Sequence, residues 1–566
     1  MLRSPFAGLY KQKEVRGEAM KVLSSAEMQA CDRASVEQFG ASSLDLMRAA
    51  AAAVAAFARS HFPQARKVTV LCGRGNNGGD GLMAARLLAA DGLEVTALLL
   101  GDPAQLSGDA AEAWRMLSSD STCRIHVIAS VEDLVSHRET FTPDLIVDAL
   151  VGTGFQPPLR ELPLAAVEMA RSGGSPILAV DLPSGWPADE AGAIHDGPVC
   201  PADAVVTFTA PKPAHVFGHL TRSWDQPVVV APIGSPDEAI RSSLDLHWAG
   251  ASLELMQRPR GVASNKGNFG HVFVVGGSFG TAGGKAGAPA LVGLGALRAG
   301  AGLVTVAVPE PALVPVASFA PELMTWPLAA TVEGYICPQQ LSPELLKGKT
   351  VLAIGPGLGQ APETAQFVLD LLAQTGMPVV LDADALNILA ARPGGLPRIA
   401  QLRTVVITPH PGEMARLAGI STAEVQADRL KYARGFAQRH GVTVVLKGAR
   451  TLIAHPGGRV AVNTSGNPGM AKGGSGDLLT GLIAGALAQH PQDAERAVEA
   501  AVYLHGLAAD LAVRETDEHT LLATDGLRHL ARAFRYPAFQ VGKDGAGGYV
   551  WLQGDCTRHA ASRASD

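Results

Sequence analysis

Lys67-Val-Thr-Val-Leu-Cys-Gly-Arg-Gly-Asn-Asn-Gly-Gly-Asp-Gly81 decides the fold class of the first half of the chain. A short apolar, β-branched run ends in glycines, and over 82–90 the apolar residues recur at helical spacing. A strand that turns through glycine into a helix opens a parallel α/β unit. The alternation continues on both sides. Segments 93–100, 144–148, 177–181 and 204–208 read as strands, and 26–39 and 43–59 read as helices ahead of them. Strands interleaved with helices predict a parallel sheet covered on both faces.

From Pro232 to about Ser264 the pattern weakens into Pro, Ser and charge, then restarts. Strands are predicted over 271–275, 303–308, 351–354, 378–381, 404–407 and 442–446, with a strong helix over 494–513. This reading divides the chain into a first domain at 20–236, a linker at 237–258, a second domain at 259–536 and a poorly ordered Gly-rich tail at 537–566. The glycine motifs of the second domain differ from those of the first, so it is not a repeat. The weakly polar stretch 287–308 contains Arg298 and turns β-branched after Gly302. It reads as a buried helix followed by a buried strand, not as a membrane span.

Composition excludes other classes. The 566 residues are 47% hydrophobic and 18% charged, the balance of a globular chain able to bury more than one core. The 47 basic and 53 acidic residues give a net charge of -6, leaving no basic excess to neutralise phosphates, and 5% aromatics leave no base-stacking platform. No nucleic-acid partner and no membrane are expected. Cys31, Cys72, Cys123, Cys200, Cys337 and Cys556 are scattered with no Cys-x-x-Cys pair, which suits a reducing compartment and offers no zinc site. A cytoplasmic homo-oligomer is expected. Arg3, Lys11, Lys13 and Arg16 mimic an organelle address, but Glu14 and Glu18 weaken it, and Met20 is an alternative start.

Gly73, Gly75 and Gly78 match Gly-x-Gly-x-x-Gly, a weak signal alone, in which glycines let backbone amides approach a phosphate. Asn76, Asn77 and Asp80 add side-chain polarity, read either as an ion or polar-ligand site or as a capped turn. Asp148 ends one strand with Gly-Thr-Gly behind it at 152–154. Asp181 ends the next, with Ser184 three residues on. Each aspartate alone reads as a helix cap. Their recurrence beyond the carboxyl ends of parallel strands, where such sheets bind ligands, favours a site.

Gly73-Arg-Gly-Asn-Asn-Gly-Gly-Asp-Gly81, Val147-Asp-Ala-Leu-Val-Gly-Thr-Gly154 and Val180-Asp-Leu-Pro-Ser-Gly185 together resemble the NAD(P)H-hydrate epimerase family, over about residues 20–234. The resemblance implies a Rossmann-like domain that interconverts the R and S forms of hydrated NADH and NADPH. By motif, the hydrate would meet Asn76, Asn77, Gly78, Gly79 and Asp80, the segment Gly152, Thr153, Gly154, Phe155, Gln156, Pro157 and Pro158, and Asp181. Asn77, Asp148 and Ser184 would hold K⁺, a hard cation suited by oxygen ligands. Asp181 is the candidate acid–base group.

The second informative stretch is Asn463-Thr-Ser-Gly-Asn-Pro-Gly-Met-Ala-Lys-Gly-Gly-Ser-Gly-Asp-Leu-Leu-Thr-Gly481. Gly473, Gly474 and Gly476 precede an apolar helix over 478–489, an arrangement that aims free amides at a phosphoryl group. Asp477 in the first turn reads as a base or as a macrodipole partner. The Gly-Lys-Ser/Thr ending of a Walker loop is absent. The Gly-x-Gly-Asp start resembles the ribokinase-like superfamily. Five further motifs and one short glycine pair narrow it: Ser264-Asn-Lys-Gly-Asn-Phe-Gly-His-Val272, Gly276-Gly-Ser278, Gly355-Pro-Gly-Leu-Gly359, Leu381-Asp-Ala-Asp-Ala-Leu386, Thr408-Pro-His-Pro-Gly-Glu413 and Leu446-Lys-Gly-Ala-Arg-Thr451. The set resembles the ADP/ATP-dependent NAD(P)H-hydrate dehydratase family over about residues 259–534, with Asn265 where that family often has His.

That resemblance implies hydrate contacts at Ala288, Gly357, His410 and Asp477, and nucleotide contacts at Lys447, Gly448, Ala449, Arg450, Thr451 and Gly476. Mg²⁺ would arrive with ADP or ATP, held largely by the phosphates. Read without the family, His410 is a structural histidine and Lys447 an exposed strand-end charge. The expected function is repair of hydrated nicotinamide nucleotides. The alternatives are a ribokinase-like vitamin-pathway kinase with an accessory nucleotide-binding domain, or a nucleotide-binding scaffold without turnover.

Overall fold

The computed structural model describes residues 20–554 apart from 121, 282, 393–395, 397–399, 401–402 and 542–547. The basic N-terminal stretch and Cys556 lie outside the described residues. Two compact units divide the chain, 1–246 with 537–566, and 247–536.

The first unit is built on β1 (Lys67–Cys72), β2 (Glu94–Leu100), β3 (Arg124–Ile128), β4 (Leu145–Ala149), β5 (Ile177–Val180), β6 (Ala204–Phe208) and β7 (Val228–Ala231). They are parallel, in the order β7-β6-β5-β4-β1-β2-β3. Every residue of β4, β5 and β6 is buried, as a sheet covered on both faces requires. The helix after β1, Asn76–Ala90, starts six residues before the predicted 82, so the glycine-rich stretch forms its first turns. Close approach explains the glycines. A Cβ on Gly78 would lie 1.9 Å from the Gly73 carbonyl oxygen, and one on Gly81 would lie 2.5 Å from the Ala149 Cβ.

In the second unit, β8 (Leu246–Trp248), β9 (His271–Val275), β10 (Phe279–Gly280), β11 (Gly283–Gly284), β12 (Leu303–Pro309), β13 (Met324–Leu328), β14 (Val351–Ile354), β15 (Val379–Leu381), β16 (Val405–Ile407), β17 (Thr443–Leu446), β18 (Leu452–Ala454) and β19 (Val460–Val462) follow. Apart from the β10–β11 hairpin they form one sheet, β13-β12-β9-β14-β15-β16-β17-β18-β19-β8, parallel from β13 to β17. The stretch 287–308 is, as predicted, a helix (Gly287–Ala299) and a buried strand. No helix among the described residues is long and apolar enough to cross a membrane.

Two expected boundaries change. Within the supposed linker 237–258, β8 is followed by a 3-10 turn at Ala249–Ser252 and a helix at Leu253–Gln257. Trp248 is 1% exposed, stands edge-on to Tyr503 at 5.4 Å and donates from Nε1 to Thr464 Oγ1 at 2.9 Å. Buried His247, His455 and Ser252 all donate to the Glu499 carboxylate, the imidazoles at 2.8 and 2.9 Å. The supposed disordered tail 537–566 contains β20 (Phe539–Val541) and β21 (Gly548–Gln553), and β21 pairs antiparallel with β7 of the first sheet. Tyr549 and Trp551 enter the first unit's core, and the Tyr549 hydroxyl donates to the Ala53 carbonyl at 2.7 Å. β8 has only three residues, and the glycine-rich sequence ahead of β21 hides its apolar run.

Candidate active sites

In the first unit, Asp181 follows β5 with φ +66°, a left-handed conformation that an aspartate holds only when its surroundings fix it. The surroundings are visible. Oδ1 accepts from Lys212 Nζ at 2.9 Å and Thr207 Oγ1 at 2.8 Å. Oδ2 accepts from the Thr153 amide at 2.7 Å and its hydroxyl at 2.6 Å. The Asp181 carbonyl accepts from His215 Nε2 at 2.7 Å, while His215 Nδ1 accepts from the Lys212 amide at 3.0 Å. Those partners fix His215 as the neutral Nε2–H tautomer. Burial, then Lys212, press its pKa down to about 4. Burial pushes the Asp181 carboxyl up, but the Lys212 ammonium and the hydroxyl donors outweigh it and hold Asp181 well below the usual carboxylate range.

The segment Val151-Gly-Thr153 gathers the other predicted residues. The Val151 amide donates to Ser184 Oγ at 3.1 Å, and a Cβ on Gly152 would lie 2.8 Å from Asp181 Oδ2 and 3.0 Å from Asn77 Oδ1. Asp148 accepts from Ser184 Oγ at 2.6 Å and from the Ser184 amide at 2.8 Å. It forms no ion pair among the described residues, and burial pushes its carboxyl up. Among the described residues the buried Asn77 Nδ2 has no hydrogen-bond partner. An amide's O and N ends interchange readily, so Asn77 has an oxygen to offer. A buried unpaired carboxylate, a hydroxyl and a spare amide fit a monovalent cation. Asp80 is pushed well up, by burial and then by Asp181. Gly154, Gln156, Pro157 and Pro158 are exposed, and Phe155 packs against apolar core.

Lys212, Thr207 and His215 escaped the sequence reading. Pro211-Lys-Pro213 after β6 was their signal, the same proline-framed side chain that drew attention to His410.

In the second unit, Gly474 at φ +91° starts the Ser475–Gln489 helix, with Gly476 and Asp477 in its first turn. Lys447, just past β17, faces this turn. A Cβ on Gly476 would stand 3.5 Å from Lys447 Nζ and 4.0 Å from Asp382 Oδ2. Lys447 Nζ pairs with Asp382 Oδ1 at 2.8 Å and lies 3.8 Å from Glu413 Oε2. Burial works against its charge, but Asp382 and Glu413 raise it above the ordinary lysine value. Burial, then Asp382, push the half-buried Asp477 carboxyl up to about 6, with Lys447 opposing. Asp382, Glu413 and Thr480 lie within the sequence motifs, but their roles show only in the fold.

His410 caps the Pro411–Ala418 helix: Nδ1 accepts from the Gly412 amide at 3.0 Å, and Nε2 lies 3.4 Å from Glu413 Oε1. Gly357 at φ +75° packs on the Lys285 carbonyl and on Gly277. Ala288 begins the Gly287–Ala299 helix, which runs against the Ser475–Gln489 helix where Gly481 meets the Val292 carbonyl. The turn of Lys447, Gly448, Ala449, Arg450 and Thr451 joins β17 to β18, with Gly448 at φ +140°. Arg450 points inward, buried, and donates to the Thr464 carbonyl at 2.9 Å. Burial draws it down to about 10. Beside the helix start lies a small, mostly apolar cleft, lined by Ser475, Leu478, Leu482, His505, Ala508 and Leu521 among others.

Comparison with known proteins follows the same division. A family model described as YjeF-related protein N-terminus matches residues 43–214, and one described as NAD(P)H-hydrate dehydratase matches 272–532. The bifunctional NAD(P)H-hydrate repair enzyme of Moorella thermoacetica is 38% identical over 528 residues, covering 91% of this chain and 97% of the relative. That of Escherichia coli is 37% identical over 505 residues, 88% of this chain and 91% of its own. A solved ADP/ATP-dependent NAD(P)H-hydrate dehydratase from Bacillus subtilis, co-crystallized with ATP and Mg²⁺, is 34% identical over 50% of this chain and 96% of its own, with a TM-score of 0.42.

Proposed function

The chain belongs to the family of bifunctional NAD(P)H-hydrate repair enzymes, and from that premise we propose that the first unit epimerises hydrated NADH and NADPH at the Asp181 cluster while the second dehydrates the S form, with ADP or ATP, at Asp477. Each unit has its expected fold, Rossmann-like and ribokinase-like. The observation that carries the second assignment is Asp477 itself, a half-buried carboxyl pushed up to about 6 at a glycine-started helix N-terminus beside an ammonium.

A carboxylate with that affinity accepts a proton near neutrality. Asp477 takes the proton of the C6 hydroxyl as its oxygen attacks the terminal phosphoryl group, whose bridging P–O bond breaks to release ADP from ATP or AMP from ADP. The helix amides and Lys447 stabilise the charge on that group. The C6–O bond then breaks, phosphate leaves, and the ring nitrogen supplies the electron pair. Loss of the C5 proton restores the double bond. Mg²⁺, bound with the nucleotide, supplies further charge neutralisation. The turn 447–451 and Gly476 contact the phosphates. Ala288, Gly357 and His410 contact the hydrate.

At the first site, Asp181 is too strongly held as an anion to be a free base near neutrality. Its role is to fix Lys212, Thr153 and Thr207 around the hydroxyl-bearing carbon. Asn77, Asp148 and Ser184 hold K⁺, which supplies a fixed positive charge. The contacts from Asn76 to Asp80 and along 152–158 orient the hydrate.

The full chain, given pure S hydrate with ATP and Mg²⁺, should restore reduced-cofactor absorbance. Given a mixture of R and S, it should restore the absorbance completely. Recovery that stops at the S fraction refutes the epimerase assignment, and no recovery from S refutes the dehydratase.

A further inference from the structure

We infer that Asp382 is the positioning residue of the dehydratase site: it holds the Lys447 ammonium against the first turn of the Ser475–Gln489 helix and so sets the charge that Asp477 experiences. The inference rests on reading the second unit as the dehydratase.

Asp382 lies one residue past β15 and is 2% exposed. Both of its oxygens are occupied. Oδ1 takes Lys447 Nζ at 2.8 Å, and Oδ2 takes the Thr480 hydroxyl at 2.8 Å. One carboxylate therefore ties together the end of β15, the turn after β17 and the helix that carries Asp477. With both oxygens engaged inside the protein, Asp382 acts through its partners and not by touching the substrate.

Lysine reaches its target on four rotatable bonds, and ordering it is entropically costly. A salt bridge to a buried, doubly anchored carboxylate removes that freedom before a nucleotide arrives. Gly476 completes the arrangement, because it leaves no side chain between the ammonium and the helix amides. A carboxylate so close to a phosphate site works against phosphate binding. What it contributes is the location of the Lys447 ammonium. The charged groups around Asp477 are few: Asp382 from the end of β15, Lys447 from the end of β17, and Glu413, from the Pro411–Ala418 helix, through Lys447. His505, on the Ala494–Val513 helix, is buried and held neutral, its pKa drawn down to about 4 by burial and then by Lys447.

The test uses the full chain carrying Asp382→Asn, Thr480→Val or Lys447→Gln. Two readouts are taken: dehydratase rates against pH, and acylation of Lys447 by acetic anhydride, quantified by mass spectrometry against Lys285. Asp382→Asn keeps the shape but removes the charge. Its kcat should fall roughly tenfold or more, with the hydrate KM changed less. Its acid limb should move to lower pH, and Lys447 acylation near pH 8 should rise about tenfold, the equivalent of one pKa unit. Lys447→Gln should move the acid limb the other way. Thr480→Val should lower kcat less and leave acylation near wild type. Unchanged Lys447 acylation in Asp382→Asn overturns the inference. So does a loss of activity with an unshifted acid limb and a matching drop in Tm, which marks a purely structural residue. If wild type shows no turnover while Asp382→Asn still unmasks Lys447, the positioning stands and the dehydratase reading falls.

Discussion

Asp181 follows a parallel strand and Asp477 lies in the first turn of a helix, and the protein holds the two carboxyls in opposite states. Asp181 receives four hydrogen bonds, one from a lysine that is 1% exposed, and stays an anion far below its usual range. Asp477 is buried less completely and has a second carboxylate nearby, and its affinity for a proton rises to about 6. Burial alone pushes both upward. The sign of the net shift is set by the donors each one meets. A saturated carboxylate is an anchor, and an unsaturated one is a proton acceptor.

The largest way to separate the two sites is to remove the chain after Tyr536. That deletes β21, and with it Tyr549 and Trp551 from the first unit's core, while the second sheet loses no strand. Truncating a buried large aromatic costs about 3–5 kcal/mol, so losing two approaches the whole stability of an ordinary domain, roughly 5–15 kcal/mol. Epimerisation should disappear while nucleotide-dependent recovery from pure S hydrate persists, as two separate assays would report. Next comes Asp477→Asn. If Asp477 is the proton acceptor, dehydratase kcat should fall by about 10²–10⁴-fold, the usual contribution of a general base, with epimerisation unchanged. A loss below tenfold would leave it a macrodipole partner only.

The same contrast shows what sequence can carry. Asp181 is legible from its strand end and Asp477 from the glycines that start its helix. The lock on Asp181 is not, because Lys212 lies 31 residues away and meets it only after β6 is laid beside β5. Asp382 was quoted in a motif and passed over for the same reason, since its partners Lys447 and Thr480 are 65 and 98 residues distant. Strands with continuous apolar runs are legible to within a residue or two, down to the three residues of β15 and β16. β8, β18, β19 and the returning β21 are not legible, because their stability comes from neighbours and not from their own pattern.

A smaller break targets the lock itself. Lys212→Met leaves the buried Asp181 charge without its counter-ion, and removing one partner of a buried pair costs about 3–5 kcal/mol. The first unit should unfold at lower denaturant and epimerisation should be lost, with the dehydratase rate unaffected. The double variant Lys212→Met/Asp181→Asn should recover much of that stability, because it removes the stranded charge, but none of the activity. Additive losses in denaturant titrations would show that the pair is not coupled.

The smallest effect is the most discriminating, because it needs no mutation. Dehydratase kcat/KM requires the Asp477 anion, so its acid limb should centre near the raised pKa of about 6 and reach about one-tenth of the plateau at pH 5. Epimerisation should stay flat over the same interval, because Asp181 remains ionised well below it. Stability should move in the opposite sense for the two groups. A raised carboxyl stabilises the fold fully only below its unfolded pKa, near 3.9, and that contribution is lost as pH rises through about 6. A depressed one stabilises above its unfolded pKa and loses that contribution as pH falls through its folded value. Acidification from 7 to 5 should therefore slow the second site while slightly firming the unit around it. Asp477→Asn should abolish both trends together. A limb that persists near 6 in that variant would assign the titration to another group and dissolve the contrast between the two aspartates.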